Sequence, residues 1–152
     1  MAIDLTISIV NWNTRDELRD CLTGIFAQET PISLEVIVVD NRSTDGSVQM
    51  LRAEFADRVT LIANSDNRGF GAGHNEAILQ SAGRYVLVLN PDSTISTDVF
   101  APLVAFMDAN PDIGVLGPRI LNPDGTLQFS ARRFPSMIAG LFRHTVLGRL
   151  FP

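Results

Sequence analysis

Two apolar runs, each ending abruptly in a short polar turn with a carboxylate, restrict this chain more than any other feature. Leu87-Val88-Leu89 runs into Asn90-Pro91-Asp92, and Val36-Ile37-Val38-Val39 runs into Asp40-Asn41. An apolar run without alternation reads as a strand buried on both faces, the pattern of a parallel sheet covered by helices. In open sheets of that kind, ligands settle just beyond the carboxyl ends of the strands. A carboxylate at such a tip is placed to hold a divalent cation against a diphosphate. Two such tips point to a nucleotide site.

The remaining elements fall around these two strands. Leu5 to Val10 reads as the first strand, followed by the polar turn Asn11-Trp12-Asn13. Thr14 and Glu17 have the spacing of a capping box. Leu18, Cys21, Leu22, Ile25 and Phe26 then recur at helical spacing. Past the strand at Leu34 to Val39, the pattern predicts a helix from Val48 to Phe55 and a short strand from Val59 to Ala63. A glycine-rich loop, Asn67 to Asn75, leads into a helix through Ile78 and Leu79. Then come a strand from Tyr85 to Leu89, a helix from Val99 to Met107, a strand from Ile113 to Leu116 and a small hairpin around Asn122-Pro123-Asp124-Gly125. Strands alternating with helices imply an α/β fold with a mostly parallel sheet and helices on both faces.

Composition removes several function classes. At 152 residues and 45% hydrophobic content, the chain has the size and apolar share of one globular domain. A net charge of -5 argues against a general nucleic-acid binder. Every basic residue is arginine. Without lysine there is no P-loop, no Schiff-base nucleophile and no kinase strand lysine. A phosphorylated receiver domain is disfavoured for the same reason. A nicotinamide dehydrogenase is disfavoured because no glycine fingerprint follows the first strand.

Cys21 is the only cysteine and falls on the apolar stripe of a helix, which fits a reducing cytosol. The opening residues carry no basic signal region, and no apolar run approaches bilayer length. The expected location is therefore the cytoplasm. After Ala131 the chain holds four arginines, Arg132, Arg133, Arg143 and Arg149, and no acid. As a helix this tail would show Ile138, Leu141, Phe142 and Leu150. It reads first as a helix packing on a missing part of the protein. The second reading is a membrane-surface helix at the inner face of the membrane. An uncovered apolar tail would also favour homo-oligomers.

Taken singly, each candidate residue has a plain structural reading. Asp40 suits an Asx turn as well as a ribose or base contact. Gly69, Gly71 and Gly73 permit close approach of an anion ahead of a helix N-terminus. Arg68 offers a charge-assisted bond to a phosphate, or a solvated surface charge. Asp92 is either a turn residue or one ligand of a magnesium or manganese ion completed by diphosphate and water. His74 and His144 have no partner at metal-ligand spacing.

In combination they are more specific. A strand ending in Val10-Asn11, then Val-Val-Asp40-Asn41, then Asn67-Arg68-Gly69-Phe70-Gly71-Ala72-Gly73-His74-Asn75, then Leu-Asn90-Pro91-Asp92, resembles the donor-binding half of family 2 glycosyltransferases, which have the GT-A fold. Gly117-Pro118-Arg119 through Asp124-Gly125 to Arg132-Arg133-Phe134-Pro135 is similar to the bacterial rhamnosyltransferase-type members. The resemblance implies that Asp40 bonds the pyrimidine of a dTDP- or UDP-linked donor, and the subgroup tilts the choice toward dTDP-rhamnose. It implies that Val10 and Asn11 line the base pocket. The loop with Asn67, Arg68, Gly69, Gly71 and Asn75 would wrap the nucleoside and diphosphate. Asn90 and Asp92 would stand in for the family's Asp-x-Asp motif, with Asp92 on the metal and Asn90 giving a neutral hydrogen bond.

The implied chemistry is an inverting displacement at the anomeric carbon. The metal stabilises the leaving diphosphate, and a carboxylate base takes the proton of a glycan or lipid-linked acceptor in cell-envelope synthesis. In the family that base follows the metal turn within the acceptor half, but nothing after Asp124 here is acidic. The expectation is therefore a truncated glycosyltransferase, inactive in isolation. Residues 1–131 form the nucleotide-sugar-binding core, and 132–152 form a tail leading into a missing acceptor-binding half. The alternative is a non-catalytic nucleotide-binding α/β module.

Overall fold

β-Branched and leucine-rich runs alternate with amphipathic segments, and the elements follow that alternation. The computed structural model describes residues 2–122 and 124–128. Its elements are β1 (Ile3–Asn11), α1 (Arg15–Phe26), β2 (Leu34–Asp40), α2 (Ser47–Glu54), β3 (Thr60–Ala63), α3 (Phe70–Gln80), β4 (Gly83–Leu89) and α4 (Phe100–Ala109). The four strands form one parallel sheet in the order β3-β2-β1-β4.

The two faces of the sheet are covered unequally. Leu5, Ile7 and Ile9 of β1 and Val36 and Val38 of β2 pack with Leu18, Cys21, Leu22 and Ile25 of α1. Met50 and Leu51 of α2 and Phe100 and Val104 of α4 join the same core. On the opposite face Val10, Ile37 and Val39 meet Ala77 of α3. Burial on both sides explains why β2 shows no alternation.

Beneath α3 the centre of β1 is polar. Ser8 Oγ and His74 Nδ1 lie 2.7 Å apart, and the Phe70 ring meets the imidazole edge-on at 4.3 Å. His74 is buried, and its Nε2 has no partner among the described residues. Burial pushes its pKa below the ordinary value of 6.5. The folded state therefore favours the neutral ring. The stability this contributes is complete above about pH 6.5 and drains away as pH falls below it. Thermal melts of the wild type and His74→Asn should show the wild type losing its advantage between pH 7 and pH 5.

The register brings every strand tip to one edge. Asn11 pairs with Asp40, Asp40 with Ala63, and Ile9 with Leu89. The ladder continues past the tips, with Asn41 N–H donating to the Asn11 carbonyl and Asn64 N–H to the Asp40 carbonyl, each at 2.9 Å. The chain leaves β1 towards the α1 face and reaches β4 from the α3 face. Strand order thus reverses between β1 and β4, where such sheets open a ligand crevice.

Three local expectations change. The capping box does not form. The Thr14 hydroxyl donates instead to Asn11 Oδ1 at 2.7 Å, and the first α1 amide, that of Arg15, donates to Asp45 Oδ2 at 2.8 Å. Ile113 to Leu116 is irregular, with Val115 90% exposed. Among the described residues this segment has no neighbouring strand edge, so no ladder of backbone hydrogen bonds forms on it. The glycine-rich stretch is helical from Phe70 onward, so Gly71, Gly73, His74 and Asn75 belong to α3.

Chain contacts divide the molecule into Met1–Leu116 and Gly117–Pro152. In the second unit the expected hairpin is present as an antiparallel bridge between Leu121 and Leu127, with Gly125 at φ +81°. The predicted tail helix lies outside the described residues. Among the described residues no helix is long and apolar enough to cross a membrane.

Candidate functional site

The tips of β1 and β2 are joined by a buried polar net. Asp40, only 1% exposed, accepts from Asn11 Nδ2 at 2.7 Å through Oδ1 and from the Ser43 N–H at 2.8 Å through Oδ2. Asn11 Nδ2 also donates to Ser43 Oγ at 3.0 Å. Asp40 therefore closes the Asp40–Ser43 turn with its own side chain, and each carboxylate oxygen keeps an unused lone pair. Around this net the backbone turns tightly. Asn13 and Arg42 lie in the left-handed region at φ 55° and 60°, and Asn13 Oδ1 accepts from the Thr44 N–H at 2.7 Å.

The segment ahead of α3 is drawn across the β2 tip. Asn41 Nδ2 donates to the Gly69 carbonyl at 3.2 Å. Asn64 Nδ2 donates to Asn41 Oδ1 at 3.2 Å and to Glu76 Oε2 at 2.7 Å. Gly69 sits at φ +81°, and its N–H donates to Asn67 Oδ1 at 2.8 Å. This brings the N-terminus of α3, with first-turn amides that lack intrahelical acceptors, to the same edge as Asp40. Arg68 Nε donates to Asp66 at 3.3 Å, and Arg68 Nη1 is paired with Glu76. Gly73 serves packing, because a Cβ there would lie 2.8 Å from Val10 Cγ2, whereas Gly71 faces open space.

On the other side of β1, β4 ends in the Asn90-Pro91-Asp92 turn, closed by Ser93 N–H donating to the Asn90 carbonyl at 3.2 Å. Parallel strand spacing separates the β2 and β4 tips by about 10 Å. Asp92 is exposed. No group of three potential metal ligands exists among the described residues. One exposed carboxylate fits a magnesium or manganese ion whose shell is completed by diphosphate oxygens and water, and does not fit an all-protein cage.

Beneath this turn the Cys21 thiol lies 3.9 Å from the Asn90 carbonyl oxygen. Burial, then the Asp92 charge, push its pKa up to about 12. Native protein should leave Cys21 unreacted with Ellman's reagent at pH 8, with full reaction after unfolding.

The expected residues gather on either side of the β1 tip. Val10 and Asn11 form that tip, Asp40 and the Asn67–Gly69 segment lie on its β2 side, and Asn90 and Asp92 follow β4 on the other. Asn75 is exposed on α3. Trp12 is an addition to the sequence-based set. It is 58% exposed, directly past the β1 tip, and offers an aromatic face for base stacking. Its signal was visible as the only tryptophan of the chain, placed in a polar turn.

A parallel sheet in the order 3-2-1-4, with carboxylates at the tip of β2 and just past β4, has the GT-A fold of glycosyltransferases. The chain belongs to glycosyl transferase family 2, whose model matches residues 6–149. It is 36% identical to the N-acetylglucosaminyl-diphospho-decaprenol L-rhamnosyltransferase of Mycobacterium tuberculosis, over 97% of this chain and 51% of that protein. It is 33% identical to the succinoglycan biosynthesis protein ExoO of Rhizobium meliloti, over 70% of this chain and 30% of that protein. The chain thus spans about half the length, or less, of these curated relatives.

Among solved structures, S. aureus TarS 1-349 matches 72% of this chain and 33% of its own at TM-score 0.65 and 24% identity. The mannosyltransferase PcManGT of Pyrobaculum calidifontis, solved with GDP-Man and Mn2+, matches 62% of this chain and 29% of its own at TM-score 0.56 and 27% identity.

Proposed function

We propose that this chain is the donor-binding portion of an inverting rhamnosyltransferase-like enzyme of bacterial cell-envelope glycan synthesis. The donor is a nucleotide-diphospho-sugar, with dTDP-rhamnose favoured by the rhamnosyltransferase relative, and the acceptor is a lipid-linked glycan. The observation that carries this reading is the parallel register. It sets Asp40 and Asp92 on either side of the β1 tip, along the edge that also receives the N-terminus of α3.

In this reading the free lone pairs of Asp40 accept from the pyrimidine ring, and Trp12 stacks on the base. Asn11 holds Asp40 in place, and Val10 seats α3 against β1. The α3 amides, Asn67, Gly69, Gly71 and Arg68 face the diphosphate, and Asn75 borders the same helix end. Asn90 and Asp92 close the far side. The divalent ion, held by Asp92 together with the diphosphate, supplies charge stabilisation for the leaving group. No residue of this chain is assigned as general base.

Titration with dTDP and UDP, with and without manganese, followed by Trp12 fluorescence, tests the reading. Metal-dependent quenching that Asp92→Asn abolishes is the expected result. A flat response to both nucleotides would overturn it. Turnover with a lipid-linked acceptor by this chain would show that a base is present after all. Saturable nucleotide binding that ignores manganese would favour the non-catalytic nucleotide module.

A further inference from the structure

The candidate site is rich in acids for a place that receives a diphosphate. Asp40, Asp66, Glu76 and Asp92 all lie at or near the edge, and simple Coulomb reasoning makes every one of them repel the ligand. Glu76 is the one whose bonding gives a different answer. Its Oε2 accepts from Asn64 Nδ2 at 2.7 Å, and Asn64 in turn reaches Asn41, the residue after Asp40. Its Oε1 is paired with Arg68 Nη1, while Asp66 takes Arg68 Nε at 3.3 Å. The guanidinium is thereby held by two of its three nitrogens, and Nη2 has no partner among the described residues. Arg68 is long and flexible, so fixing it in advance removes an ordering cost that a ligand would otherwise meet.

We infer that Glu76 is a positioning residue for the diphosphate. It locks Arg68, and with it the Asn67–Gly69 segment, so that the remaining guanidinium donors are pre-aimed at the phosphates. The inference rests on the nucleotide-binding reading and deepens it.

The sign of a mutational effect decides the matter. Glu76→Gln deletes a negative charge but keeps an acceptor for Asn64. If Glu76 acted only through its charge, the variant would bind dTDP or UDP more tightly. If it positions Arg68, the variant binds about tenfold more weakly, and the loss disappears when Arg68 is already alanine. Calorimetry on the wild type, Glu76→Gln, Arg68→Ala and the double variant measures this. Amide exchange of residues 67–73 without nucleotide reads the same lock independently and should quicken in Glu76→Gln.

Equal or tighter nucleotide binding by Glu76→Gln, or additive losses in the double variant, would overturn the positioning role while leaving nucleotide binding intact. A wild-type protein that binds neither nucleotide would bring down the parent reading, and this role with it. Unchanged amide exchange would show that no lock exists.

Discussion

Asp40→Ala is expected to abolish nucleotide binding and to lower folding stability by about 3 kcal/mol. Both effects follow from one carboxylate in two roles. Inside the fold, Asp40 accepts from Asn11 Nδ2 and from the Ser43 N–H. Alanine leaves two donors facing a cavity, and each unsatisfied buried donor costs about 1–3 kcal/mol. Asn11 retains Ser43 Oγ as a partner, which places the total near the middle of the range. Urea unfolding measures the stability change, and Trp12 quenching measures the nucleotide.

Asp92→Ala is the matched comparison. Asp92 is exposed and sits on a turn, so its loss should move stability by no more than about 0.5 kcal/mol while removing the manganese dependence of binding. If Asp40→Ala unfolds at the wild-type urea midpoint, the buried net is not holding the two strand tips. If it loses stability but binds nucleotide normally, Asp40 is structural only.

The two roles also mark the limit of what the sequence revealed. β2 was legible because it is buried on both faces, and a doubly buried strand needs no alternation. Its carboxylate stood out because the apolar run stops so sharply. Ile113 to Leu116 has similar composition but no neighbouring edge among the described residues, and pairing is a non-local property that composition does not carry.

The Thr14–Glu17 spacing satisfied a local rule. The Thr14 hydroxyl is turned instead towards the preceding strand tip, donating to Asn11 Oδ1, and Asp45 accepts from the first amide of α1. The glycine-rich stretch read as a loop because each helical glycine costs about 1 kcal/mol. The helix forms anyway, since Val10 can approach so closely only where residue 73 has no side chain. His74 looked isolated along the chain, and its partner Ser8 is 66 residues away. The Glu76–Arg68–Asn64 set likewise has no sequence spacing that would reveal it, because it joins a strand tip, a turn and a helix.

Among the described glycines, Gly83→Ala should be the most destabilising change, costing about 3–4 kcal/mol, a large share of a typical domain's 5–15 kcal/mol. An added Cβ would lie 2.5 Å from Thr6 N, 2.6 Å from Thr6 Oγ1 and 2.7 Å from the Tyr85 carbonyl oxygen. Two of those three atoms are backbone, so no rotamer change relieves the contact. The position is also a junction. Gly83 N–H donates to Thr6 Oγ1 at 2.9 Å, Thr6 Oγ1 donates to Glu35 Oε2 at 2.7 Å, and the Ala82 N–H reaches the same oxygen at 3.0 Å. Moving β4 aside to admit the methyl breaks this knot between three strands.

Gly71→Ala supplies the contrast. Its Cβ meets open space within a helix, where alanine in place of glycine gains about 0.5–1 kcal/mol. Differential scanning calorimetry should therefore place the two variants on opposite sides of the wild type, with Gly83→Ala lower by roughly 10 °C. Gly83 and Asp92 lie near opposite ends of β4, about 20 Å or more apart at the rise of a strand. Below its melting point, Gly83→Ala should accordingly bind nucleotide as the wild type does. A selective loss of affinity in the folded variant would mean that the start of β4 controls the Asn90-Pro91-Asp92 turn through the length of the strand, which the packing of Tyr85, Leu87 and Leu89 into the core argues against.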